Sequence, residues 1–305
     1  MGDSDLEMMR RRAPGFEVRE GQVPGRGGAI RIRDYLPLRP LSAIPLLWVH
    51  GGGWFGGSVD MKESDAPAKY LAAHGRVVRT VDYRLAPRPR RRAAGRENTS
   101  NRFPAALHDV VDAALDLWAR HSSLSLGGAS AGANLAAGAT LMLQAEGCAQ
   151  PTSLVLAYGV FHGKLPEHSE VEKSLRGSLA GSKFMLAEVH RMTANYVGDE
   201  RLLEDPLAFP AYASLSNLPP TLMIDATHDI LRRSSSTFAD AATAAGANIE
   251  YRLIKGHHGF LNRPRSSAFS EAVARVERFL DAGRFPDDPG SVHDSEFNAF
   301  DAGGQ

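Results

Sequence analysis

Cysteine is almost missing from this chain: Cys148 is the only one among 305 residues. That excludes an internal disulfide and leaves no Cys-x-x-Cys pair for a metal. Net charge is equally scarce. The 35 basic and 35 acidic residues cancel, so nothing global calls for nucleic acid or an anionic membrane as partner. Long apolar runs are also absent. No stretch approaches the ~18 apolar residues of a membrane span, and Arg10, Arg11 and Arg12 are followed by no apolar segment of the kind a secretory signal needs. A cytoplasmic protein without a membrane span is the simplest expectation. There is no visible internal repeat, which excludes a repeat array.

What is present alternates between two periods. Apolar runs at residues 29–33, 44–50, 77–83, 124–128, 153–158, 221–226 and 249–254 read as strands, several of them continuous, as parallel strands covered on both faces are. Between them lie helical patterns. Residues 104–119 place Leu107, Val110, Val111, Ala114, Leu115 and Trp118 at three-four spacing, and residues 271–281 do the same with Val273, Val276, Phe279 and Leu280. The expected class is α/β: a mostly parallel central sheet flanked by helices on both faces, with a helical cap. The expected organisation is an N-terminal segment, 1–28, contributing to the cap; a main domain, 29–284, with a lid insertion at about 161–217; and a disordered tail, 285–305, rich in Asp, Gly and Ser. Residues 88–102 carry six arginines and almost nothing apolar, which describes a solvated surface loop.

The chemistry centres on residues 124–137. An apolar run ends at Gly127, Gly128-Ala129-Ser130-Ala131-Gly132 fits G-x-S-x-G, and a helix-forming run follows. Strand, sharp turn and helix form a nucleophile elbow, which forces the serine into a strained conformation and leaves room only for glycine two residues to either side. A serine hydroxyl is a poor nucleophile at neutral pH, so Ser130 needs a base, an orienting carboxylate and donors for an oxyanion. Donors are available in His50-Gly51-Gly52-Gly53-Trp54, directly after a strand: the N–H groups of Gly52 and Gly53, with that of Ala131, can face one oxygen. No phosphate-loop Gly-Lys-Ser/Thr follows those glycines, which argues against nucleotide binding. Carboxylate and base belong in loops after the last two strands. Thr227-His228-Asp229 offers Asp229, with Asp225 as a rival inside the strand; Gly256-His257-His258-Gly259 offers two histidines that position alone does not separate.

Taken together these motifs resemble the hormone-sensitive-lipase-like branch (family IV) of bacterial esterases in the α/β-hydrolase superfamily. The resemblance rests on the His50–Trp54 run, Asp82-Tyr83-Arg84-Leu85-Ala86-Pro87, Phe103-Pro104-Ala105-Ala106, the elbow followed by Asn134-Leu135-Ala136, and His258-Gly259-Phe260. It implies a serine carboxylesterase of α/β-hydrolase fold that uses Ser130, His258 and Asp229 on small, short-chain esters, without metal or organic cofactor. The histidine directly before Gly-Phe is the family's base, which selects His258 over His257. A serine amidase or peptidase would share the triad; a non-catalytic receptor on this fold would be expected to lack the base. The expected partner is a small-molecule ester, and a homodimer is compatible with the reading. Three departures stand out: Ala129 where the family usually has an acidic residue or Thr, Asp229-Ile230-Leu231-Arg232-Arg233-Ser234 in place of D-P-L-x-D-E, and the arginine-rich insertion at 88–102.

Overall fold

The structure, a computed structural model, describes residues 15–89 and 101–282. Eight strands form one sheet in the order β1-β2-β4-β3-β5-β6-β7-β8. They are β1 (Phe16–Gly25), β2 (Gly28–Pro37), β3 (Leu46–Val49), β4 (Val78–Asp82), β5 (Ser125–Ala129), β6 (Leu154–Ala157), β7 (Thr221–His228) and β8 (Ile249–His257). β2 runs antiparallel to both β1 and β4, and every pair from β4 to β8 is parallel. Every residue of β3, β5 and β6 is buried, which is why these runs are continuous rather than alternating.

Seven α-helices occur among the described residues: α1 (Lys62–Ala73), α2 (Ala105–Trp118), α3 (Ala131–Ala145), α4 (Ser169–Ser174), α5 (Lys183–Val197), α6 (Arg232–Ala244) and α7 (Ser267–Ala282). The sheet separates two apolar clusters. One gathers Leu107, Val110, Leu135, Leu143 and Phe238 from α2, α3 and α6; the other gathers Leu71, Val273, Val276 and Phe279 from α1 and α7 against Trp48, Val155 and Ile224. Burial on both faces of the parallel strands supplies the main driving force for this order.

Residues 16–25 differ from expectation. They form β1, an edge strand paired along its whole length with β2, rather than part of a cap. The reason is physical: β1 is mostly exposed, with Val23 its only buried residue and Phe16 packed at one end against Tyr35, so its pairing with β2 along the whole length leaves little apolar signal. Between β6 and β7 the chain contains α4, α5 and the 3-10 turns Glu200–Glu204 and Pro210–Tyr212. The N-terminal residues 1–14, the expected tail and most of the arginine-rich segment lie outside the described residues. Among the described residues no helix is long and apolar enough to cross a membrane.

Candidate active site

Ser130 is the single residue between β5 and α3, and it sits at φ 55° and ψ −120°. A side chain rarely adopts a positive φ; here the surroundings impose it. The Ser130 amide donates to the Ala157 carbonyl at 2.8 Å. A Cβ on Gly128 would lie 2.5 Å from the Gly132 carbonyl, and a Cβ on Gly132 would lie 2.1 Å from the Val49 oxygen. The flanking glycines are therefore needed because the elbow closes on backbone, its own and that of β3.

The next two elements deliver the partners. Asp229 follows β7 directly and His258 follows β8 directly. The Ser130 Oγ lies 3.1 Å from His258 Nε2, and His258 Nδ1 lies 2.6 Å from Asp229 Oδ2. The short second contact assigns the imidazole proton to Nδ1, which leaves the Nε2 lone pair facing the hydroxyl. Asp229 is buried, and its other oxygen accepts the Leu231 amide at 2.9 Å. The His258 side chain is 41% exposed, in contrast to buried Asp229. Its desolvation favours the neutral ring, but the charge and hydrogen bond of Asp229, with the charges of Glu63 and Asp225, outweigh that and raise its pKa.

The rival residues lie elsewhere. Asp225 is inside β7, buried, with Oδ2 accepting the Tyr251 hydroxyl at 2.8 Å; burial and the charge of Asp229 push its pKa up to about 7. His257 ends β8, exposed, with its ring 5.3 Å from that of His228.

The glycine loop after β3 abuts Ser130: a Cβ on Gly51 would fall 3.0 Å from the Cβ of Ser130. Gly52 and Gly53 take φ 106° and 61°, values open mainly to glycine, and among the described residues neither amide has a hydrogen-bond partner. Three groups hold this loop. Tyr83 donates its hydroxyl to the carbonyls of His50 and Gly51 at 3.1 and 3.2 Å, and its ring stacks on His50 at 4.3 Å. His50, buried and kept neutral by that burial, donates Nδ1–H to the Gly51 carbonyl at 2.7 Å. The Gly51 amide donates to Glu63 Oε1 at 2.8 Å. Trp54 closes the loop against the segment between β6 and β7, with its indole stacked 4.4 Å from the Tyr196 ring of α5.

Glu63 is the residue that reading the sequence missed. It had a signal: Glu63 shares the buried face of α1 with Pro67, Ala68 and Leu71, and a carboxylate on an apolar stripe needs partners.

The departures have local explanations. Ala129 is fully buried among apolar neighbours. Arg232 and Arg233 reach across the inserted segment: Arg232 Nη1 donates to the Thr227 carbonyl at 2.9 Å and the Ser174 hydroxyl at 3.3 Å, and Arg233 Nε donates to the Pro166 carbonyl at 2.6 Å. Both flanks of the arginine-rich segment are tied to α5, through Asn195 Nδ2 to the Pro87 carbonyl at 2.8 Å and the Phe103 amide to the Tyr196 carbonyl at 2.9 Å.

Comparison with known proteins places this geometry in context. A family model described as alpha/beta hydrolase fold matches residues 46–262. The carboxylesterase NlhH of Mycobacterium tuberculosis is 31% identical over 264 residues, 82% of this chain and 76% of the relative. The structure of the Pyrobaculum calidifontis esterase superposes with a TM-score of 0.75 at 29% identity, covering 92% of this chain and 90% of the other. A hormone-sensitive lipase from a metagenome library superposes with a TM-score of 0.72 at 26% identity, covering 92% and 91%.

Proposed function

This chain belongs to the α/β-hydrolase fold family, in its hormone-sensitive-lipase-like branch, and on that premise we propose that Ser130, His258 and Asp229 carry out carboxylic ester hydrolysis through an acyl-enzyme. The observation that carries this reading is the unbroken line from Ser130 Oγ to His258 Nε2 at 3.1 Å and from His258 Nδ1 to Asp229 Oδ2 at 2.6 Å. Ser130 attacks the ester carbonyl as His258 takes its proton; Asp229 holds the tautomer and stabilises the imidazolium. The amides of Gly52, Gly53 and Ala131 receive the oxyanion, preorganised because the loop that carries two of them is already tied down. His258 returns its proton to the leaving alcohol, then activates water to release the acid.

Small-molecule esters are the substrate class, and short acyl chains are the ones we assign. Lone Cys148 needs no oxidising compartment, which supports the expected cytoplasmic location. The test is a panel of p-nitrophenyl esters of increasing acyl length, run with matched amides and with fluorophosphonate labelling. Ester turnover that falls with chain length and label on Ser130 are expected; an unlabelled, inactive protein overturns the assignment. Light scattering on the same sample decides whether the chain forms the homodimer that the sequence allowed.

A further inference from the structure

Glu63 lies outside the triad yet touches the supports of both catalytic halves. It is buried near the N-terminus of α1. Its Oε1 accepts the Gly51 amide at 2.8 Å; its Oε2 accepts the Tyr158 hydroxyl at 3.0 Å and the Asn262 side-chain amide at 2.9 Å. Its own amide donates back to Asn262 Oδ1 at 3.2 Å, and its carbonyl accepts the Trp48 indole N–H at 2.8 Å. Three donors converge on the two side-chain oxygens, the pattern a carboxylate requires and an apolar or neutral residue would leave unpaired.

The three partners are not equivalent. Gly51 begins the run whose next two amides face the oxyanion. Tyr158 directly follows Ala157, which accepts the Ser130 amide, and holds a left-handed φ of 38°. Its ring meets the His258 ring edge-on at 4.9 Å. Asn262 closes the 3-10 turn Phe260–Asn262 just beyond His258. One carboxylate therefore braces the oxyanion loop against the residues beside the base.

Resting on the triad assignment above, we propose that Glu63 is a positioning residue for catalysis: it sets the oxyanion loop and His258 at a fixed separation and supplies a second negative charge that favours the imidazolium formed in the transition state. The charged and titratable groups facing His258 are Asp229, Glu63, Asp225 and Tyr158, with His257 adjacent in the chain. Asp229 acts by direct hydrogen bond, Glu63 through space, and both raise the basicity of His258.

Glu63→Gln keeps the shape, removes the charge and sets its amide group against the Asn262 donor. With an ester substrate and Ser130→Ala as the inactive reference, kcat is expected to fall on the order of tenfold to a hundredfold with KM within about threefold, since transition-state positioning is what is lost. The acidic limb of the kcat/KM profile is expected to move to lower pH by roughly half a unit or more, because a base that has lost a nearby anion is protonated less readily. A purely structural role predicts lower activity with an unmoved limb, and that result overturns the proposal, as does wild-type behaviour. Tyr158→Phe removes one bond and leaves the charge, so it should lower kcat several-fold without moving the limb. If Glu63→Gln does not fold, this second variant decides, and unchanged kcat overturns the proposal. An inactive wild type, or an active Ser130→Ala, would instead sink the triad assignment itself.

Discussion

The central sheet and the segment inserted between β6 and β7 are held by different means. β3, β5 and β6 are buried at every position, and the elbow they support closes on backbone atoms. In helix α5 of the insertion, Val189, Thr193, Tyr196 and Val197 form a buried stripe, and the other described side chains are half-buried or exposed. The helix's polar attachments beyond the insertion are single contacts, such as Asn195 Nδ2 to the Pro87 carbonyl at 2.8 Å and the Phe103 amide to the Tyr196 carbonyl at 2.9 Å. The proposed chemistry thus sits where backbone contacts leave little room to yield, and the insertion, which brings Met192 and Tyr196 against Gly53 and Trp54, sits where small shifts are cheaper. Substitutions in the sheet should be close to all-or-none, and those in the insertion graded.

The largest effect tests the rigid side. His258→Ala should fall to the level of Ser130→Ala, about 10⁴-fold or more below wild type in kcat, because nucleophile and base act as one unit. His257→Ala should stay within a few-fold. Equal losses at both positions would break the assignment of the base, and with it the claim that one loop position carries the chemistry.

Next comes Gly132→Ala. The added methyl meets the Val49 oxygen at 2.1 Å and the His50 oxygen at 2.4 Å, backbone atoms that no rotamer change can move aside. We expect a loss of about 1–3 kcal/mol in stability from overpacking and at least about 100-fold in kcat from the displaced hydroxyl. Denaturant titration beside steady-state kinetics reads both. Near-wild-type values would mean that the elbow is softer than the sheet around it.

On the compliant side, Met192 of α5 meets Gly53: a Cβ there would sit 2.8 Å from the Met192 Sδ. Met192→Ala opens space beside Gly53, proposed above as an oxyanion donor, without touching the proposed triad. The ratio of kcat/KM between long and short acyl esters should rise by about tenfold, the scale of one or two methylenes in an apolar pocket, with the melting temperature little changed. A uniform loss across all chain lengths would instead make the insertion part of the rigid machinery.

The same contrast explains what was readable beforehand. The elbow, Asp229 and His258 could be found because strict backbone geometry demands particular residues at particular places: glycine where a Cβ has no room, acid and base one step past β7 and β8. β1 escaped because an exposed edge strand is held by hydrogen bonds that leave no apolar period. Glu63 escaped because its role depends on groups far away in sequence, Tyr158 and Asn262, that only the fold brings to it. The contacts of Arg232 and Arg233 to the insertion were invisible for the same reason; the sequence showed only a missing family pattern.

The smallest expected effect compares one buried titratable group from each region. Asp225 in the sheet has its pKa raised to about 7 by burial and by Asp229, whereas His162, at the start of the insertion, has its pKa lowered to about 4 by burial, its Nδ1 accepting from the Ser234 hydroxyl at 2.9 Å. The signs oppose. Between about pH 4 and 7 folded Asp225 holds a proton that the unfolded chain has released, so its contribution to stability falls as pH rises. Between about pH 4 and 6.5 the unfolded chain protonates His162 and the folded one does not, so that contribution rises with pH. In the wild type the two largely offset each other across the shared window. Asp225→Asn keeps an acceptor for Tyr251 and removes only the first of them; its stability relative to wild type should therefore climb with pH from about 4 to 7, by on the order of 1–3 kcal/mol in all. Taking the difference between variant and wild type cancels the groups that do not interact with Asp225, and leaves Asp225 with its coupling to Asp229 and His258. Urea unfolding at pH 5 and at pH 8 gives the answer, and a difference that stays constant between them would mean that Asp225 is ionised in the folded protein throughout.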